Sequence, residues 1–341
     1  VDRSDLMLAY AKAHGALERL DDRWATSPVA GAWRARMAWT ERHALAWADS
    51  FDIPADALVF DKRGRLRSGD YDLTHCKDAI GAPISRRALL EEPEQLLAWL
   101  GGERAGAGPD SRWETIQAIE TWSRASTALP PAPPLLMAAR LSSLWRRHAP
   151  LGRGDVVASL LIGDRWSMGR QPGSQGGLVA LGMRHNGGRW KTASGEEAEH
   201  LWLGAIRAGA MAHLELENRL RAFAMRVRHV LVRRRRSGQL GELMAFAMER
   251  PLINSSDVAQ RTGLTHAGAI KLLSIAHDEG LLIETTGQAS YRRYAIPLSE
   301  PQSATLVEQQ RSQPMFAEPL GEVEAKKSPL PGALLRAKMR H

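Results

Sequence analysis

The stretch NSSDVAQRTGLTHAGAIKLLSIAHDEGLLIETTG, residues 254–287, decides how the carboxyl-terminal part of this chain folds. Asn254, Ser255 and Ser256 are candidate N-caps, because a short side-chain oxygen accepts from a first-turn amide that has no helical partner. The helix they start covers 257–261, with Val258 and Ala259 turned inward. Gly263 follows four residues after Ala259, and Leu264 comes next. In a helix-turn-helix a small residue lets the first helix approach the second. A glycine takes the positive-φ corner, and the apolar residue after it plugs the angle between the helices. Thr265 then caps a second helix that runs to about Glu279 and stops at Gly280. Its inward stripe is Ala269, Leu272, Leu273 and Ala276, and its opposite face offers His266, Ala267, Ile270 and Lys271.

The flanks extend this unit. Upstream, Leu240, Leu243, Met244, Ala247 and Met248 repeat at helical spacing until Pro251 ends the run. Downstream, 281–284, a turn at Thr286-Gly287-Gln288 and 291–296 read as a β-hairpin. Residues 239–297 are therefore expected to form a winged helix-turn-helix. Such a fold lays the N-terminal side chains of its second helix against base edges in the major groove. The helix start itself favours a phosphate. The expected contacts of duplex DNA are Thr265, His266 and Lys271 in the groove, with Arg233, Arg234, Arg235, Arg236, Arg292 and Arg293 on the backbone.

Charge agrees with that placement. Of a net charge of +8, an excess of seven falls between Arg219 and Ile296, where thirteen basic residues face six acidic ones. A concentrated basic segment is the electrostatic footprint of a polyanion binder. The chain holds one cysteine, Cys76, so it has neither an internal disulfide nor a thiolate cluster for zinc. Cys76 is expected to be a buried or incidental thiol. No window approaches the roughly 20 apolar residues of a membrane span, and the first residues lack a secretory layout. A cytoplasmic protein with no membrane partner is expected.

The rest reads as mainly helical. Helical spacing covers 4–20 and 29–50, then regions around 87–100, 111–127 and 135–147, and a long run from Glu196 to about Arg236. Residues 61–72 read as a polar loop or hairpin, 101–109 as a linker, and Leu129-Pro130-Pro131-Ala132-Pro133-Pro134 as an extended break. The glycine-rich region from Gly163 to Gly188 matches neither the P-loop nor the dinucleotide fingerprint, and a flexible hairpin or surface loop is its default. The expected layout is a helical N-terminal domain over 1–128, a helical middle domain over 129–238, the winged helix over 239–297, and a mostly disordered tail over 298–341.

Candidate chemistry elsewhere is thin. Asp70 and Asp72 form an Asp-x-Asp pair with no third ligand, His185, His200 and His213 lack ligand spacing, and the eleven tryptophans suit helix packing. No catalytic residue, metal or cofactor is expected.

Pro251-Leu252-Ile253, Val258-Ala259, Gly263-Leu264 and the run Gly280 to Gly287 resemble the tail of bacterial Fic-family proteins, and the likeness extends over 135–296. The full chain looks more like a plasmid-borne bacterial family, defined by a domain of unknown function plus a C-terminal helix-turn-helix. The Fic resemblance implies AMP transfer through a loop His-Pro-Phe-x-Asp/Glu-Gly-Asn-Gly-Arg. In that loop the acid holds magnesium, and glycines and arginines grip phosphates. Here the nearest match begins at His148, with Gly152 at the acid's place, Arg153 and Gly154 for Gly-Asn, and Val156 and Ser159 for both arginines. Lacking metal ligand and phosphate clamps, a Fic-like middle domain is expected to be an inactive scaffold. The expected function is a bacterial DNA-binding transcriptional regulator that is not an enzyme, with the long 196–236 helix as the candidate homodimer element. The alternatives are a divergent AMP transferase using His148 and a protein-interaction module.

Overall fold

The periodic segments of the sequence become helices packed around a shared apolar interior. A computed structural model describes residues 3–50, 76, 78–101, 109–152, 154–166, 174–234, 238–287 and 292–298. The chain is mainly α-helical, with twelve α-helices and one small sheet among the described residues. Val1–Leu298 forms one unit and Ser299–His341 a second. The expected tail, most of the 101–109 linker, and the 61–72 loop with Asp70 and Asp72 lie outside the described residues.

In chain order the helices are α1 (Arg3–Thr26), α2 (Ala30–Ser50), α3 (Arg86–Glu91), α4 (Pro93–Trp99), α5 (Pro109–Thr127) and α6 (Pro134–His148). They continue with α7 (Asp155–Trp166), α8 (Leu178–Met183), α9 (Gly195–Arg233), α10 (Leu240–Glu249), α11 (Ser255–Thr262) and α12 (His266–Asp278). The single helix expected over 87–100 is two, because Pro93 supplies no amide and disfavours helical backbone at Glu92, which sits at φ −124°, ψ 80°. The apolar run 156–162 lies within α7, where it is wholly buried from Val157 to Gly163.

The 39-residue α9 organises the rest. One face of it stays buried from Ala198 to Val230, first against α8 and α6, then against α1, α2 and α10. Helices on both sides of residue 128 thus contribute to one buried core, which extends from Ala13 to Ile296. Trp33, Trp122, Trp145, Trp190 and Trp202 are its largest side chains, each fully buried as packing anchors, while Trp113 is exposed.

The glycine-rich region departs from its default as a surface loop. Its centre is α8, all six residues of which are buried. Two glycines set how closely α8 and α9 approach. A Cβ on Gly182 would stand 1.8 Å from the Ala205 carbonyl oxygen, and one on Gly209 would stand 2.2 Å from that of Leu178. Side chains at these two positions would force the backbones apart. Overpacking of this kind predicts that Gly182→Ala lowers the unfolding free energy by about 1–3 kcal/mol or more in urea titration. Gly31→Ala, at an α2 position with open space around it, should leave stability unchanged or slightly raised. Equal effects at the two sites would contradict this account of α8–α9 packing.

Candidate nucleic-acid interface

The segment from α10 onward closes on itself through caps and a short sheet. Asn254 caps α11, and the capping is reciprocal: its side chain accepts from the Asp257 amide at 2.9 Å, and Asp257 accepts from the Asn254 amide at 3.2 Å. Gly263 ends α11 at φ 70°, a left-handed corner open to glycine at little cost, with its amide bonded to the Ala259 carbonyl at 3.0 Å. Two residues later Thr265 caps α12, its hydroxyl accepting from the Gly268 amide at 3.2 Å. Gly280, at φ 68°, terminates the other end. Strands β1 (Ile253–Asn254), β3 (Arg293–Ala295) and β2 (Ile283–Glu284) pair antiparallel in that order, Ile253 opposite Tyr294 and Ile283 opposite Ala295.

This architecture divides α12 lengthwise. Ala269, Leu273 and Ala276 are buried, and Leu272 packs partly buried beside them. Ala259 of α11 also packs on that core, and Leu264 lies over Gly268. The outer face carries His266, Ala267, Ile270, Lys271 and Ser274, all exposed, with Ile270 at 51%. These positions recur three and four residues apart, so they form one strip. His266 Nε2 stands 3.4 Å from Ser255 Oγ, which places a shared polar edge at the starts of α11 and α12.

The predicted cations separate into two groups. Arg292 and Arg293 are both exposed beside the β2–β3 connection. The Arg292 guanidinium lies 3.7 Å from Glu284, while the Arg293 backbone bonds to Thr285 and Thr286. Arg233 and Arg234 instead flank Glu279, at 4.0 and 3.6 Å, beside the far end of α12. Thirteen residues of helix, roughly 20 Å, separate them from Thr265. Arg235 and Arg236 lie outside the described residues, as do Gln288 and Tyr291 of the expected hairpin. Helix α9 ends at Arg233, not Arg236, with Arg234 in extended backbone.

A buried arginine anchors this segment to the preceding helices. Arg36 of α2 donates to the Ala247 and Met248 carbonyls at 2.8 and 2.9 Å, at the end of α10 where no helical amide remains to bond them. Burial pushes its guanidinium down to about 10, still charged at neutral pH.

The resemblance loop has a clear geometry. His148, half-buried, is the last residue of α6. Ala149 follows at φ 43°, and Gly152 and Gly154 are also at positive φ. Ser159, in the place of an arginine, is fully buried and bonds back to the Val156 carbonyl at 2.6 Å. Arg153 lies outside the described residues. Cys76 is buried, and desolvation, with Asp49 and Asp155 nearby, pushes its thiol far up. Among the described residues no group of three or more His, Cys, Asp or Glu is placed to hold a metal ion. No described helix is long and apolar enough to cross a membrane.

One constellation escaped the sequence pattern. Glu41 of α2 is fully buried. It accepts from the Ser174 hydroxyl at 3.0 Å, from the Gln175 and Gly177 amides at 2.5 and 3.1 Å, and stands 3.1 Å from His213 Nε2 of α9. One turn on, buried Glu217 pairs with Arg23 of α1 at 2.6 Å and accepts from Ser27 at 2.8 Å. These groups come from elements 130 or more residues apart in sequence, so no local spacing announces them. Full burial and bonds on both oxygens make Glu41 a clasp between α2, the 174–177 loop and α9.

No protein-family model matches the sequence, and no curated protein matches it.

Burial alone would raise the Glu41 carboxyl, but His213 and the two backbone amides outweigh it and hold it below the ordinary carboxylate range. Its contribution to stability is therefore complete above the unfolded-chain value of about 4.3 and is lost as pH falls through the lower folded value. Denaturant titrations should show a wild-type advantage over Glu41→Gln that shrinks as pH falls through the acid range. An advantage that grows as pH falls would contradict this role.

Proposed function

We propose that the chain is a sequence-reading DNA-binding protein, a bacterial transcriptional regulator. In this reading α10–β1–α11–α12–β2–β3 acts as a winged helix-turn-helix. The observation that carries the proposal is the outer strip of α12. Five side chains at groove-reading spacing project from a helix held at both ends by caps, with Arg292 and Arg293 exposed on the adjoining hairpin. Thr265, His266 and Lys271 enter the major groove, and the hairpin arginines contact backbone phosphates. Arg233 and Arg234 lie beyond the other end of α12 and contact backbone flanking the site, sharing their charge with Glu279. The local charge excess supplies the long-range attraction.

Many helix-turn-helix regulators read two half-sites as dimers. Met211, Met225 and Val232 are large apolar side chains exposed on α9, which supports α9 as the dimer element. The degenerate loop after His148 supports a middle region without AMP transfer.

Gel-shift titration against duplex DNA tests the proposal. Affinity should fall steeply between about 50 and 200 mM salt, as counterion release requires. Replacing Arg292 and Arg293 with alanine should reduce the logarithmic salt slope by about 1 for each phosphate left unneutralised, and Lys271→Ala should weaken binding. Binding that ignores both salt and these substitutions would overturn the reading.

A further inference from the structure

Helix α12 carries an unusual set of side chains for a surface that meets base edges. Its sequence, HAGAIKLLSIAHD, contains no Arg, Asn or Gln. Those residues make most of the bidentate hydrogen bonds that distinguish guanine and adenine in the major groove. The middle of its outer strip is apolar instead, formed by Ala267 and the half-exposed Ile270, with His266 and Lys271 at the edges. Packed over a guanine or adenine edge, these two side chains would strip water from acceptors and return no hydrogen bond. One base feature in the groove rewards them, the C5-methyl group of thymine.

Resting on the DNA-binding reading above, we infer that Ala267 and Ile270 form a thymine-methyl reader, and that Ile270 determines base preference at the centre of each half-site. Ala267 and Ile270 stand three residues apart, about 4.5 Å along the helix axis. That spacing is close to one base step of about 3.4 Å, so the two side chains cover thymines of neighbouring base pairs. Lys271, on the same strip, takes an adjacent guanine edge in the groove. Ile283 of β2, 46% exposed, lies outside this strip and takes no part in the reading.

The test uses the full-length chain. Duplexes are enriched from a randomised library, and the best binder is resynthesised with each thymine replaced in turn by deoxyuridine, which removes only the methyl group. At one or two neighbouring positions wild-type affinity should fall about fourfold per methyl removed, the value of one buried methylene-sized group. Ile270→Ala should bind more weakly and no longer distinguish thymine from deoxyuridine at one of those positions, while Ile270→Val keeps the distinction. Because Ile270 is half-exposed, neither substitution threatens the fold. If the enriched duplex binds with steep salt dependence yet deoxyuridine is tolerated everywhere, this inference falls and the DNA-binding reading stands. If Ile270→Ala leaves DNA binding and base preference untouched, the inference is overturned. If no duplex is enriched at any salt concentration, the DNA-binding reading falls as well.

Discussion

A helix of 39 residues with one face buried along most of its length is the element against which α1, α2, α6, α8 and α10 pack. The neighbouring helices among the described residues are all shorter, α1 at 24 residues being the longest of them, so successive neighbours take turns along that face. Near its start, Gly182 and Gly209 allow α8 to approach to backbone contact. In its middle the buried face turns polar: His213 stands 3.1 Å from Glu41 of α2, and Glu217 accepts from Arg23 of α1 and from Ser27 just beyond it. Trp33 adds a further bond there, donating to the His213 carbonyl at 2.9 Å. Toward its end Val227 and Val230 return to apolar packing, and Leu231 lies against Gly241 of α10. Buried polar groups left unbonded would cost several kcal/mol, so this central network specifies which helices pair and in what register.

The same constraint sets the carboxyl-terminal segment. Arg36 reaches from α2 to the last carbonyls of α10, and the Gln239 amide donates to the Thr262 carbonyl at the end of α11 at 2.9 Å. With α10 and α11 held, the corner at Gly263 fixes the direction of α12, and His277 bonds across to the Leu282 carbonyl at 3.1 Å to close its far end. The outer strip of α12 is what this scaffold leaves uncovered. Its chemistry is sparse in charge, so in the proposed function attraction comes from the surrounding arginines and discrimination from shape and apolar contact.

How much was legible in the sequence follows from what each feature depends on. Caps and corners are local, and Asn254, Gly263, Thr265 and Gly280 marked the limits of α11 and α12 to within a residue or two. Long amphipathic runs were equally plain, α9 being predicted within about three residues of its observed ends. Short buried elements were not. Helix α8 has six residues, too few to display a period, and its glycines suggest a loop until the close approach of α9 explains them. The break at Pro93 was readable from proline chemistry but was hidden inside a longer apolar run. The Glu41–His213 clasp rests on tertiary contact alone, and so does the pairing of Arg233 and Arg234 with Glu279, which separates that part of the arginine run from His266 and Lys271.

Site-directed crosslinking tests the central claim, that the outer strip of α12 meets the DNA. Cys76, the chain's one cysteine, is buried and its thiol is held far above its usual range, so a cysteine introduced at Ala267 takes a photoactivatable thiol label selectively. The labelled Ala267→Cys protein should crosslink to bound duplex on irradiation, while Thr121→Cys, on the exposed side of α5, should not. Crosslinking at Thr121→Cys but not at Ala267→Cys, or at neither, would contradict it.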